Sequence, residues 1–242
     1  MREYYTRACN FYHGKIAKNL ILNKKALPLN SRQDIAFDQI EIFQRKKNKI
    51  VESKFCSITE IKNLDGQMLL EVDGDIKNIT LEKQSILGLK FDTPQIMGAL
   101  NITPDSFSDG GLFFEETKAY DQAKLMVDSG ATIIDIGGES TRPGSTTIDE
   151  KEEWKRVENT IIKFKKNYPK TLLSLDTRKS YVMSKGIQNG VDIINDVSGL
   201  NFDNKSFNLL NSKKIPFLLH HMQGSPHTMQ NNPTYEDVLL DI

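Results

Sequence analysis

The rhythm of apolar and polar positions in this chain changes near residue 92. Beyond that point, short apolar runs alternate with segments of helical period. The runs are PQIMGALNIT, TIIDIGGES, TLLSLDT, VDIINDVSG and IPFLLHHM. Each is apolar on both faces, as in strands of a parallel sheet covered by helices. Between the second and third runs, Trp154, Val157, Ile161 and Phe164 recur at helical spacing and predict a core-facing stripe. Thr147 and Glu150 have the spacing of a capping box at the start of that helix, and Pro169 marks its end. A second helix is expected over 115–129, burying Ala119, Ala123, Met126 and Val127, with Gly130 as its C-cap.

Before residue 92 the pattern is irregular and rich in Lys, Asn and Ile. AFDQIEIFQR (36–45) alternates like a strand, and MLLEVDG (68–74) reads as a second, weaker one. ILNKKALPLN ends in a Pro-marked turn. Residues 1–91 are expected to form a small extension with some β structure, and residues 92–242 the main domain.

Repeated strand–helix units imply a parallel α/β fold, either a (β/α)8 barrel or a doubly wound sheet. Polar residues favour the barrel. Asn101, Asp135 with Glu139, Asp176, Asn195, and His220 with His221 stand at the C-terminal ends of five successive runs. In a barrel all those ends meet on one face, where active sites lie. A doubly wound sheet would gather them at one switch point. The expected fold is therefore a (β/α)8 TIM barrel, with about five of its eight βα units in these 242 residues.

Charge narrows the function. Thirty-two Lys and Arg balance 32 Asp and Glu, so no global basic field exists to attract a nucleic acid. The dense basic run at 45–49 reads as a solvated turn between strands. Cys9 and Cys56 have no metal-site spacing, and reduced thiols in a cytoplasmic protein are expected. No apolar run approaches the ~20 residues of a membrane span, and MREYYTRACNFYHGK lacks the apolar core of a secretory signal.

Two loops hold chemistry that a plain turn does not need. ALNITPDSFSDGG (99–111) places Asn101, Asp105, Phe107 and Asp109 directly after an apolar run. GGESTRPGS (137–145) combines glycines that admit close backbone approach, the hydroxyl of Thr141, the anion-gripping Arg142 and the stiffening Pro143. Asp176 and Asn195 end apolar runs, where a flat heterocycle rich in donors would satisfy them; helix capping is the competing role for Asp176. Asp196 faces away from Asn195 and is expected to be a structural partner. His220 and His221 are adjacent on a strand, so only one can line a site. His227 reads as surface loop.

IMGALNITPDSFSDGG and IIDIGGESTRPGS resemble the two signature motifs of the dihydropteroate synthase family. SLDT, IINDVSG and HMQGSPHTM follow in the order that family shows, so the resemblance covers Pro94 to about Ile242. It implies a barrel that condenses a dihydropterin methyl diphosphate with p-aminobenzoate, releasing diphosphate, in folate biosynthesis. It implies Mg2+ held with the diphosphate at Asn101, and a helical-face homodimer. Asp105, Asp109 and Arg142 become catalytic candidates. Phe107, Thr141, Pro143, Asp176, Asn195 and His220 become substrate-binding candidates, the first loop acting as a mobile lid. His220 stands where the family usually has Met, and segments like DPGFGFGK, SRK and Arg-x-His are absent from these residues. Two other readings remain open here: an incomplete relative that only binds pterin or a partner, and a pterin-dependent methyltransferase.

Overall fold

A computed structural model describes residues 2–46, 49–103, 112–140, 146–226 and 228–242. Backbone contacts divide the chain into two compact units, one of residues 1–93 with 234–242 and one of residues 94–233.

The first unit is built on a long central strand. β1 (Tyr4–His13) pairs antiparallel with one edge of β3 (Ile35–Lys46); β2 (Leu27–Pro28) and β4 (Lys49–Ser57) pair with the other. α1 (Gly14–Leu22) follows β1, and α2 (Gly66–Thr80) follows β4. The segment 68–74 is therefore helix and not strand. Leu69, Val72, Ile76 and Ile79 recur at 3.6-residue spacing and pack on a core of Phe37, Ile40, Ile42 and Cys56. Residues 68–74 alone are too short a window to show that period. Cys9 and Cys56 are both free thiols.

In the second unit, β5 (Met97–Asn101), β6 (Ile133–Gly137), β7 (Leu172–Asp176), β8 (Ile193–Asp196) and β9 (Phe217–Leu219) form one parallel sheet in strict chain order. The crossovers carry α3 (Leu112–Asp128), α4 (Glu150–Asn167), α5 (Ser180–Gln188) and α6 (Ser206–Lys213), each packed on the next. A doubly wound sheet would reverse its strand order and place helices on both faces. Unbroken order with one running layer of helices is barrel geometry, five of the eight βα units.

The core lies between that sheet and its helices. Ile134, Ile136, Leu173, Leu175 and Ile194 meet Trp154, Val157, Ile161 and Phe164 of α4, all of them buried as the stripe predicts. Ala119 and Ala123 of α3 are fully buried, while Met126 and Val127 are only partly so. Two expectations fail locally. α4 is capped by Asp149, whose carboxylate accepts from the Lys151 N–H at 2.8 Å, because the Thr147 hydroxyl is already taken by Arg178. Burial on both faces holds for β6, β7 and β8 but not for the sheet's end strands. Leu219 of β9 is 72% exposed, and Ala99 and Asn101 of β5 are exposed as well. A strand paired along only one edge cannot be covered like a central one.

Gly138, just past β6, lets the sheet approach α4. A Cβ there would lie 2.9 Å from the Glu153 carbonyl oxygen and 2.9 Å from Val157 Cγ1. Gly74, inside α2, has nothing within 4 Å of the corresponding position. Gly138→Ala should cost about 1–3 kcal/mol, since backbone must move to admit the methyl group. Gly74→Ala should instead gain about 0.5–1 kcal/mol through helix propensity. Urea unfolding midpoints moving in opposite directions for these two variants would confirm both placements.

Candidate active site

Register aligns the site. Asn101 pairs with Gly137, Gly137 with Asp176, and Asp176 with Asn195, so the C-terminal ends of β5 to β8 stand in one row. Gly137 leaves room between its neighbours. A Cβ there would meet Asn101 Oδ1 at 3.3 Å and Asp176 Cβ and Oδ2 at 3.5 Å. Neither Asp176 nor Asn195 spends its side chain on helix capping: α5 begins at Ser180, whose N–H goes to Asp203, and α6 begins at Ser206.

A hydrogen-bonded chain extends this row across three strands. The Asn195 amide donates to Asp135 Oδ2 at 2.9 Å, and His220 Nε2 lies 2.6 Å from Asn195 Oδ1. His220 is thus joined to the row. Its backbone is positioned by Gly199, where φ is +59° and a Cβ would come within 2.6 Å of the His220 carbonyl oxygen. Asp196 holds that turn, accepting from Ser198 N at 2.8 Å, Ser198 Oγ at 2.7 Å and Leu200 N at 3.1 Å. It is the structural partner the alternation predicts.

Electrostatics single out Asp176. Burial, with the charges of Asp135, Glu153, Asp196 and Glu139 added to it, pushes its pKa up to about 7. Asp135 is 8% exposed, and its Oδ1 is buried with no hydrogen-bond partner. Both groups would gain from a ligand that presents N–H donors.

Sequence reasoning gave Asp135 no role beyond its place at a strand end, and it missed the ion cluster between β6 and α5 altogether. Arg178 Nε meets Glu139 Oε2 at 3.2 Å, and Lys179 Nζ meets Glu139 Oε2 at 3.2 Å and Glu153 Oε2 at 2.5 Å. Burial works against the Glu139 carboxylate, yet hydrogen bonds from Arg178 and the Ile148 N–H hold its pKa below the usual range. Burial dominates at Glu153 and raises its pKa despite Lys179. The acidic residue inside the apolar TIIDIGG was the available signal for Asp135. The ion cluster had none, because its partners are 39 and 26 residues apart in the chain.

Asp105, Phe107, Asp109, Thr141, Arg142, Pro143 and His227 lie outside the described residues. Among the described residues, no group of three His, Cys, Asp or Glu side chains could hold a metal ion, and no helix is long and apolar enough to cross a membrane.

Residues 97–242 match the family described as pterin binding enzyme. The chain is 45% identical over 154 residues to the dihydropteroate synthase of Haemophilus influenzae, covering 64% of this chain and 55% of that one. The structure of Yersinia pestis dihydropteroate synthase with a sulfonamide drug superposes with a TM-score of 0.57 at 40% identity, over 63% of this chain and 55% of that one. That of Xanthomonas albilineans dihydropteroate synthase with 4-aminobenzoic acid gives 0.56 at 37% identity, over 63% and 53%. The chain spans about half the length of the curated relatives it matches. With its parallel five-stranded sheet, its polar strand-end row and a match over most of its second unit, this chain belongs to the pterin binding enzyme family.

Proposed function

We propose that this chain carries the pterin-binding part of a dihydropteroate synthase, which joins 7,8-dihydropterin-6-ylmethyl diphosphate to p-aminobenzoate with loss of diphosphate. The observation that carries the reading is the row Asn101, Asp176 and Asn195, with the unpartnered Asp135 oxygen beside it. Asp176, Asn195 and Asp135 offer acceptors and a donor to the edge of a flat heterocycle rich in N–H groups.

The reaction forms a C–N bond and breaks a C–O bond. Diphosphate leaves with the bonding pair, and the new arylammonium gives its proton to solvent. As the C–O bond weakens, positive charge spreads into the dihydropterin ring. An ionised Asp176 facing that ring would stabilise it more in the transition state than in the ground state. The motif residues outside the described part complete this reading. Asp105, Phe107 and Asp109 would belong to a loop that excludes water from the reacting carbon. Thr141, Arg142 and Pro143 would frame the arylamine. Asn101 fits a magnesium–diphosphate: Mg2+ takes few protein oxygens and completes its shell with phosphate and water. When bound, the ion would neutralise charge on the leaving group.

Asp176 makes pterin binding depend on pH with a definite sign. A pterin donating N–H groups to it favours the carboxylate and lowers its pKa from about 7 in the free chain. Affinity should therefore be level above about pH 7 and fall as pH drops below it, with proton uptake competing against the ligand. Asp176→Asn should bind more weakly and lose this slope. Titration of 6-hydroxymethylpterin by fluorescence from about pH 5.5 to about pH 8.5 measures both, a range that brackets the free-chain value.

The activity itself is tested by giving the purified chain dihydropterin methyl diphosphate, p-aminobenzoate and magnesium. Dihydropteroate should form, and Arg142→Ala should lower the rate at least tenfold while pterin affinity stays within twofold. Pterin binding without product would restrict these residues to the pterin subsite. Absence of pterin binding would overturn the reading.

A further inference from the structure

The loop after β6 is anchored at both ends by one buried side chain. Arg178, 8% exposed, follows β7, and its guanidinium works in three directions. Nε and Nη2 reach Glu139 Oε2 and Oε1 at 3.2 and 3.4 Å, where the loop leaves β6. Nη2 also donates to Thr147 Oγ1 at 2.9 Å, where the loop returns to α4. The guanidinium carbon lies 4.0 Å from the Phe202 ring centre, in the loop after β8. Glu139 closes the same circuit from its side, since its Oε1 accepts the Ile148 N–H at 3.0 Å. Residues 139 and 147–148 are thus tied to each other and to β7 through a fork that only a planar, multi-donor side chain provides. Lys179 holds Glu139 and Glu153 together on the α4 side.

This arrangement is costly unless something depends on it. Desolvating ions costs several kcal/mol each, and a buried ion pair often does no better than an apolar replacement of similar volume. A buried ionic circuit that contributes little net stability can still fix geometry. Here the geometry it fixes is the pair of anchor points for the segment 140–146, which contains Thr141, Arg142 and Pro143. We propose that Arg178 is a positioning residue for that segment: by bridging Glu139 and Thr147 it sets where the chain enters and leaves it relative to β7. The proposal rests on the proposed synthase reading for its functional consequence, but the clamp itself does not.

The test uses Arg178→Met in the 242-residue chain. Hydrogen exchange at the Ile148 amide should accelerate at least tenfold, with the β7 amides of Leu173 to Leu175 unchanged. Affinity for 6-hydroxymethylpterin should stay within twofold. In the condensation assay, the KM for p-aminobenzoate should rise about tenfold and the KM for the pterin diphosphate should not. Arg178→Lys keeps the charge but cannot span Glu139 and Thr147, so it should fail to restore either value; it also serves if the Met variant does not fold. Thr147→Val should show a smaller shift of the same kind, and adding it to Arg178→Met should change nothing further. Unchanged exchange at Ile148 would overturn the clamp. Faster exchange with both KM values raised equally would overturn the positioning role and leave a merely structural one. A wild-type chain that binds no pterin would defeat the synthase reading, while the exchange result would still decide the clamp.

Discussion

Carboxylates that face one another out of water set the terms for the whole rim of the barrel sheet. Asp135, Glu139, Glu153, Asp176 and Asp196 all bear on the ends of β6, β7 and β8, and the charges of the other four add to the burial that raises the Asp176 pKa. Each burial has to be offset locally. Asp196 is satisfied by the N–H groups and hydroxyl of its own turn. Glu139 is satisfied by Arg178, Lys179 and the Ile148 amide, whereas Glu153 is held on one oxygen only, by Lys179. Asp135 is satisfied on one oxygen only, by Asn195. Asp196 and Glu139 are thus offset by the chain, while one oxygen each of Glu153 and Asp135 is left without a partner and Asp176 has its pKa raised. Asp135 and Asp176 stand on the adjacent strands β6 and β7, so part of the electrostatic imbalance falls at the polar row from which the proposed pterin site is built.

Much of this was legible in the sequence because parallel strands leave a coarse signature. Runs such as TLLSLDT must be apolar along their whole length, and the first polar residue after them marks the rim. That logic placed Asn101, Asp176 and Asn195 in one row and Asp196 off it, as the pairing shows. It failed where a residue's role depends on a distant partner. Thr147 matches a capping box by spacing, but a hydroxyl that accepts from Arg178 31 residues away is positioned for that bond, and Asp149 takes the cap. Arg178 and Lys179 carry no signal in the sequence, since nothing in the residues around them points to Glu139 or Glu153. Short windows failed too: residues 68–74 show two adjacent leucines and an alternation, while the helical period of α2 appears only when Ile76 and Ile79 are included.

The orientation of Asn195 is set by its two neighbours at the rim. Its amide could point either way, but the Asp135 carboxyl group accepts a hydrogen bond from Nδ2, so Oδ1 must face His220. A proton on His220 Nε2 gives that oxygen its donor at 2.6 Å. One N–H and one lone pair of the amide remain uncommitted. Beside them lies a carboxyl oxygen of Asp135 with no partner. A methionine at position 220 would leave the amide held by Asp135 alone and free to pivot about that one bond. The imidazole removes that freedom, so the donor and acceptor of Asn195 are fixed before a ligand arrives. In the proposed pterin site, a heterocycle with the opposite order of donors and acceptors would have to break the Asp135–Asn195–His220 chain to bind. Discrimination at that proposed site would come from the cost of leaving the buried Asp135 carboxyl group and the half-buried Asn195 amide unpaired.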